Sequence, residues 1–383
     1  MRLPVKVALP LTLAGVTVAL TTASAGAAPG RPDGPAAAAP PPAPTASPSE
    51  RSREHGRVID FWTVDRVRRA VPRDFTRTSD GRFRLTPATG DSSPAPAAKG
   101  GGGNGGGGGG GNSGGGGGKG ADGSTAVLGA SWTAGGAVAR TTGKVLFTMG
   151  TTDYVCSGDV IRDGAADRSI VLTAAHCVFD ETAGAWATNW MFIPDYDSSP
   201  VPLTGDDSFC QYTRFGCWTA TALVAHRGFT SAGGFNDQAA LHDWGFAAMD
   251  GTGANGTLLE DETQAQHVDV SGADQVGTEV SAFGYPAARP YTGADLTYCR
   301  GTLTTDPYNG GQTLGLGCKM NGGSSGGPWF TPFDDTTGTG TQMSVNSYRY
   351  GSVQAMFGPR FTTETQATYQ AALTANGNTT VSS

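Results

Sequence analysis

The sequence predicts an all-β body preceded by a disordered leader. Three observations carry this. Short apolar runs recur between Gly, Asp and Pro through residues 121–383, the mark of many short strands joined by turns. The excess of Gly and Pro, 60 and 23 of 383 residues, falls largely ahead of that stretch: 17 of the 21 residues over 100–120 are Gly. A helical pattern stands out in the body only near its end, where Thr363 offers a cap, Gln366 follows three residues on, and Ala367, Tyr369, Ala372 and Leu373 repeat at helical spacing before Gly377.

The leader reads in sections. Arg2 and Lys6 form a positive segment ahead of a short apolar run over residues 7–20, interrupted by Pro10, and small residues follow with Ala-x-Ala cleavage options ending at Ala25 or Ala27. That pattern predicts a signal peptide over 1–28. The apolar run is too short and too interrupted for a good spanning helix, so an exported protein with no stable membrane span is expected. Residues 29–99 form a Pro/Ala-rich leader, extended and disordered over 29–50. Within it, Val58, Ile59, Phe61, Trp62, Val64, Val67 and Val71 interleave with charge. Asp65, Val67, Arg68 and Ala70 suit a short amphipathic helix stopped at Pro72. A Phe-Trp pair in such an arm predicts a docking segment over 57–71, and its expected partner is the body of the same chain. Residues 76–99 return to polar sequence, and 100–120 form a flexible Gly tether.

The body, residues 121–383, carries all six Cys and every Trp except Trp62. It is long enough for one sizeable core or two small ones. Strands are predicted over 144–149, 169–173, 190–193, 222–225, 244–249, 280–283 and 353–357. Charge separates the two regions. Residues 1–120 hold 15 Lys/Arg against 8 Asp/Glu, and residues 121–383 hold 11 against 25. An acidic body is a poor binder of nucleic acid, which needs clustered Lys/Arg. The basic leader suits the acidic body, an anionic surface, or plain solvation.

Six Cys in an exported chain imply an oxidising compartment and up to three disulfides. Six Cys allow 15 connectivities. Proximity favours Cys156–Cys177, Cys210–Cys217 and Cys299–Cys318. Zinc is set aside, because no Cys-x-x-Cys pair occurs and His is scarce.

Three segments carry chemistry. Thr173-Ala174-Ala175-His176-Cys177 follows a strand-like run. Small residues leave room around the imidazole, and a disulfide at Cys177 would fix it, as a general base needs. Gly322-Gly323-Ser324-Ser325-Gly326-Gly327-Pro328 brackets Ser with Gly, which lets backbone N–H groups and substrate come close. His242-Asp243-Trp244 puts a carboxylate at the start of an apolar strand, with Asp237 and Asp250 as neighbours that compete for the role. Each also has a plain reading: a loop His beside a structural disulfide, a Gly/Ser loop, and a surface Asp.

The order His, Asp, Ser, with Thr-Ala-Ala-His-Cys and Gly-x-Ser-Gly-Gly-Pro, resembles the chymotrypsin-like (trypsin-like) serine peptidases. More narrowly, the chain looks like a secreted bacterial branch related to glutamyl endopeptidases, through Phe283-Gly284-Tyr285-Pro286, Val345-Asn346-Ser347-Tyr348 and a leader segment at Phe61-Trp62-Thr63. The resemblance covers about 144–375. It implies two six-stranded antiparallel β-barrels, over about 140–265 and 266–375, and a C-terminal helix. It implies Ser325 as nucleophile, His176 as base and Asp243 as its orienting partner. The backbone N–H groups of Gly323 and Ser325 would form the oxyanion hole, and Ser347 would border the substrate strand. The substrates would be polypeptides and the expected state a monomer, with no metal or organic cofactor.

The chain departs from the family in places. The animal digestive members carry Asp just before the nucleophile, to pair with a new N-terminal ammonium; here Ser324 stands there. Only Ser325 is followed by Gly-Gly-Pro, so it is preferred over Ser324. Lys319 stands where trypsin-type enzymes have Asp, and Asn346 where glutamyl endopeptidases have His. Both are candidate substrate-binding residues, and Arg349 is a further source of positive charge. Specificity stays open between acidic and uncharged residues. His226 and His267 are expected on the surface or in loops. Asp195, Asp197, Asp206 and Asp207 match no known calcium loop. The rival reading is a non-catalytic binding or wall-associated protein on the same fold.

Overall fold

A computed structural model describes residues 47–78, 80–86, 118–119, 125–165, 167–198, 209–250, 257–273, 275–351 and 353–382. The expected signal peptide, almost all of the Gly tract, and Asp206 and Asp207 lie outside the described residues.

The described chain opens with α1 (Pro48–Phe61). Ser47 Oγ accepts the Glu50 N–H and the Glu50 carboxylate accepts the Ser47 N–H, a reciprocal cap. Pro48 enters the first turn, where its missing N–H costs nothing. Residues 48–50 are therefore helical rather than extended. Next comes α2 (Val64–Arg69), capped by Thr63, at the place where the short amphipathic helix was expected. Then follow β1 (Val71–Pro72), β2 (Phe75–Arg77) and β3 (Phe83–Leu85). Within the leader, residues 75–77 and 83–85 pair as the antiparallel hairpin β2–β3.

After β4 (Gly118–Lys119), β5 (Thr125–Ser131) and α3 (Gly136–Thr141) the first half begins. Its main strands are β6 (Thr142–Met149), β7 (Thr152–Ile161) and β8 (Arg168–Thr173). After a two-stranded ribbon, β9 (Phe179–Asp180) and β10 (Ala185–Trp186), come β11 (Thr188–Pro194) and β12 (Trp218–His226). Two short helices, α4 (Arg227–Thr230) and α5 (Asp237–Leu241), lead to β13 (Gly245–Asp250). Neighbours run β7, β6, β11, β12, β13, β8, and β8 pairs back onto β7, closing a six-stranded antiparallel barrel. Val145, Phe147, Val160, Val171, Phe192 and Leu223 are among the buried side chains of this half. Each such side chain contributes roughly 1.5–3 kcal/mol by leaving water.

The second half contains α6 (Leu259–Thr263), β14 (His267–Val268), β15 (Glu279–Gly284), β16 (Thr297–Thr302), β17 (Thr304–Thr305), β18 (Leu314–Gly317), β19 (Pro328–Asp334), β20 (Thr339–Val345), β21 (Tyr348–Tyr350) and β22 (Ala355–Gly358). Its hydrogen bonds form two sheets, β14-β20-β19-β15-β16-β5-β4 and β17-β18-β22-β21-β2-β3. Rather than one closed six-stranded ladder, β5 from ahead of the first barrel joins one sheet, and the arm's β2–β3 hairpin extends the other. The halves of this core meet around Val280, Leu303, Leu316, Trp329 and Met356, and Cys299–Cys318 staples them. With α7 (Thr363–Ala372) and β23 (Thr379–Val381) at the end, this is the chymotrypsin-type fold. The α7 cap is Thr362, one residue earlier than Thr363, with Thr365 as its reciprocal partner, and the helix ends ahead of Gly377.

Every Cys is paired, as Cys156–Cys177, Cys210–Cys217 and Cys299–Cys318. Among the described residues no helix is long and apolar enough to cross a membrane.

Candidate active site

His176 sits in a single 3-10 turn that follows β8 directly. Cys177 bonds to Cys156 on β7, closing a 21-residue separation, which constrains the unfolded chain by roughly 3 kcal/mol in the loop-entropy model. Asp243 lies between α5 and β13. Its Oδ1 accepts the His176 backbone N–H at 2.9 Å, and its Oδ2 lies 2.7 Å from His176 Nδ1. The carboxylate thus fixes both the position of the turn and the tautomer of the ring. Ser347 Oγ donates to Oδ2 at 2.5 Å. All three residues are buried. Gly245 allows the approach, since a Cβ there would meet Val178 Cγ2 at 2.7 Å and Ala175 Cα at 3.1 Å. Asp237 and Asp250 are elsewhere: Asp237 pairs with Arg77, and Asp250 ends β13.

The Ser325 loop presses against the same strand end. Ser157 N–H, next to Cys156, donates to Ser325 O at 2.7 Å. A Cβ on Gly326, whose φ is +81°, would fall 2.0 Å from Thr173 Oγ1 and 2.8 Å from Ala174 N. Only glycine permits that contact. The N–H groups of Ser324, Gly326 and Gly327 donate to Asn321, Asn346 and Ser324 carbonyls. Those of Gly323 and Ser325 have no acceptor among the described residues, so both are free to receive an oxyanion. The Ser324 hydroxyl is spent on Asn321 O at 2.8 Å, whereas the Ser325 hydroxyl makes no hydrogen bond among the described residues.

Two candidates for substrate binding differ in exposure. Asn346 is fully buried: its Oδ1 accepts Trp329 Nε1 at 2.7 Å and its Nδ2 donates to Phe283 O and Ser324 O. It braces the underside of the Ser325 loop. Alternation along the chain explains this, because its neighbour Ser347 faces Asp243. Lys319 is exposed, and its N–H donates to Leu128 O on β5, in a different sheet from β21. His267 is exposed as expected. His226 is not: it is buried, stacked on His242 with ring centroids 4.9 Å apart.

The first half's edge and the cleft are covered by the arm. Trp62 is buried, and its Nε1 donates to Asn189 O at 2.7 Å. Around it Val58 and Val64 pack with Leu146, Val155, Met191 and Ile193. Further along, β1 pairs in parallel with Tyr154 and Val155 of β7, and β2 pairs in parallel with Tyr348, Arg349 and Tyr350 of β21. Between them Arg73 Nη1 donates to His176 O at 2.7 Å, and Nη2 to Glu181 at 3.0 Å. The Phe75 ring meets the His176 ring edge-on at 5.4 Å and stacks on Phe235 at 4.0 Å. Under this cover His176 Nε2 is buried without a hydrogen-bond partner, so the bond from imidazole to Ser325 is not closed. The β21 strand is itself pinned: Tyr348 and Tyr350 hydroxyls both donate to Asp306, at 2.5 and 2.8 Å. Burial, followed by that carboxylate, pushes both phenols up.

Sequence reasoning missed Arg73 and Phe75. Their partners lie about a hundred residues away (103 for Arg73 and His176), and no local pattern marks them. Metal-ligating types gather twice among the described residues: at Cys156, His176 and Cys177, where both sulfurs are bonded to each other, and at His226, His242 and Glu364.

Known structures match this architecture. The chain is similar to the protease Anisep from Arthrobacter nicotinovorans, with 39% identity over 62% of this chain and 96% of that one, at a TM-score of 0.51. It is also similar to the thermostable serine protease AL20 from an extremophilic microorganism, with 35% identity over 62% of this chain and all of that one, at 0.52. No family model and no curated protein matches it. At those identities and coverages, the chain belongs to the chymotrypsin-like serine proteases.

Proposed function

We propose that the protein is a secreted serine endopeptidase whose triad is His176, Asp243 and Ser325, and which its own N-terminal arm keeps latent. One observation carries the catalytic part: the buried Asp243 carboxylate, held by Ser347, fixes His176 beside a Ser325 loop with two acceptorless N–H groups. Ser325 Oγ attacks the peptide carbonyl while His176 Nε2 takes its proton. Asp243 stabilises the resulting imidazolium. The N–H groups of Gly323 and Ser325 hold the oxyanion, an effect on the order of 3 kcal/mol per donor. His176 then protonates the leaving amine, and water releases the acyl group by the same path. The chemistry calls for no metal or organic cofactor.

In this reading residues 1–28 are a signal peptide, 29–99 a leader, 100–120 a linker and 121–383 the peptidase domain, which works outside the cell as a monomer in a secreted bacterial branch of the family. Phe75 over His176 and the unbonded Nε2 beneath it support latency: the arm must lift before the imidazole can reach Ser325. Ser324 has no charge, so activation does not run through a new N-terminal ammonium.

A fluorophosphonate probe tests the catalytic reading. Once the arm is released, the folded protein should label on Ser325, lose labelling in Ser325→Ala and keep it in Ser324→Ala. Labelling lost in Ser324→Ala instead would refute the assignment. Absence of labelling even after the arm is released would favour a non-catalytic binding protein.

A further inference from the structure

The cleft already holds one acidic side chain. Asp74, between β1 and β2, is buried, and its Oδ2 accepts from Arg349 Nη2 at 3.0 Å. A Cβ on Gly322 would stand 2.9 Å from Asp74 Cβ and 3.4 Å from its Cγ. Gly322 opens the Gly-Gly-Ser-Ser loop that carries Ser325. Carboxylate, guanidinium and the nucleophile's loop therefore share one recess.

Arg349 is not fully used there. Its Nε is buried and has no hydrogen-bond partner. A guanidinium presents Nε and Nη as a fork that matches the two oxygens of a carboxylate. Asp74 engages it through Nη2, and the Nε donor is left over. Arg349 stands on β21, opposite Thr76 of the arm, so it lies on the strand that the arm covers and that becomes free when the arm leaves.

We propose that Arg349 determines specificity by taking an acidic side chain of the polypeptide substrate into the recess now filled by Asp74. This rests on the endopeptidase reading above. Asp74 is an internal stand-in for the substrate's carboxylate, and an incomplete one. The order of preference follows from charge. An acidic side chain replaces the ion pair. An uncharged one leaves the guanidinium, largely removed from water, without a counter-charge. A basic one meets like charge.

The test uses the full chain and the full chain with Asp74→Ala, each before and after release of the arm, with active sites counted by the fluorophosphonate probe. Fluorogenic peptides carry a single Glu, Gln or Lys, moved through each position around the cleaved bond. At one position kcat/KM should favour Glu over Gln by about tenfold or more, the size of one charge-assisted hydrogen bond. Arg349→Gln should bring that ratio close to one, and Arg349→Glu should turn the preference toward Lys. Arg349→Lys keeps the charge without the fork, and should retain part of the preference for Glu. Asp74→Ala should raise kcat/KM for the Glu peptide. A labelled enzyme with equal rates for Glu and Gln at every position would overturn the proposal, as would a Glu preference that survives unchanged in Arg349→Gln. Failure of both chains to label even after release of the arm would instead overturn the endopeptidase reading itself.

Discussion

The arm contacts the body in two unlike ways. Residues 48–69 form an anchor: helices α1 and α2 bury Val58, Trp62 and Val64 against the outer side of the first barrel, well apart from His176 in sequence and in contacts. Residues 71–77 form a plug, held by backbone pairing to β7 and β21, by Arg73 and by a single ring, Phe75. The anchor buries an apolar cluster ringed by polar contacts such as Arg66 to Asp153, and shares no residue with the chemistry. The plug is polar and lies on it. In the proposed latent state, the division would separate affinity from inhibition. An anchored segment returns to the cleft at high effective concentration, so the plug need not bind tightly by itself.

Two substitutions should break this comparison most strongly. Trp62→Ala and Phe75→Ala each remove a large buried ring, and each should weaken the docked arm by about 3–5 kcal/mol. Their consequences should differ. Trp62→Ala releases the whole arm, so amide exchange should quicken throughout 48–77 together with peptidase activity. Phe75→Ala uncovers His176 while the anchor stays, so activity should rise with exchange in α1 unchanged. Equal exchange profiles in the two variants would contradict the division.

Arg73→Ala comes next. The docked state would keep Glu181 buried with its hydrogen-bonded partner gone, at a cost of about 2 kcal/mol or more. The open population, read as the initial rate of the full chain, should rise roughly thirtyfold. Arg66→Ala should do least. Arg66 pairs with Asp153 at 2.8 Å but is 41% exposed, and pairs so placed contribute about 0–1 kcal/mol. An effect on the initial rate as large as that of Arg73→Ala would mean that the rim, not the plug, holds the cleft shut.

The sequence disclosed the body better than the arm, for physical reasons. His176, Cys177 and the Ser325 loop are marked by neighbours whose small size the local geometry demands, as at Gly326 and Gly245. The disulfide partners are near in sequence. Asn346 lies buried beneath the Ser325 loop, and alternation next to Ser347 already turns it inward. Phe61 and Trp62 were legible as a docking segment, because an apolar pair among charges has few other uses. The reciprocal cap at Ser47 and Glu50 is legible too, as Ser and Glu three residues apart ahead of an apolar run. What no pattern exposed was the route beyond Pro72. Parallel pairing of 71–72 with 154–155, and of 75–77 with 348–350, depends on contacts between distant segments. A two- or three-residue strand has too little periodicity to betray its partner.

Those two short parallel ladders have a consequence for the opened protein. While the arm is in place, it covers the ladder groups of β7 at Tyr154 and Val155 and those of β21 at Tyr348 to Tyr350. Once it leaves, both become bare sheet edges. An unsatisfied edge accepts any extended chain that offers a matching row of amides. Substrate is one such chain, and the released arm of a neighbouring molecule is another. Freshly opened protein at high concentration should therefore pass through reciprocal exchange of arms between copies, detectable as a transient dimer that dilution dissolves.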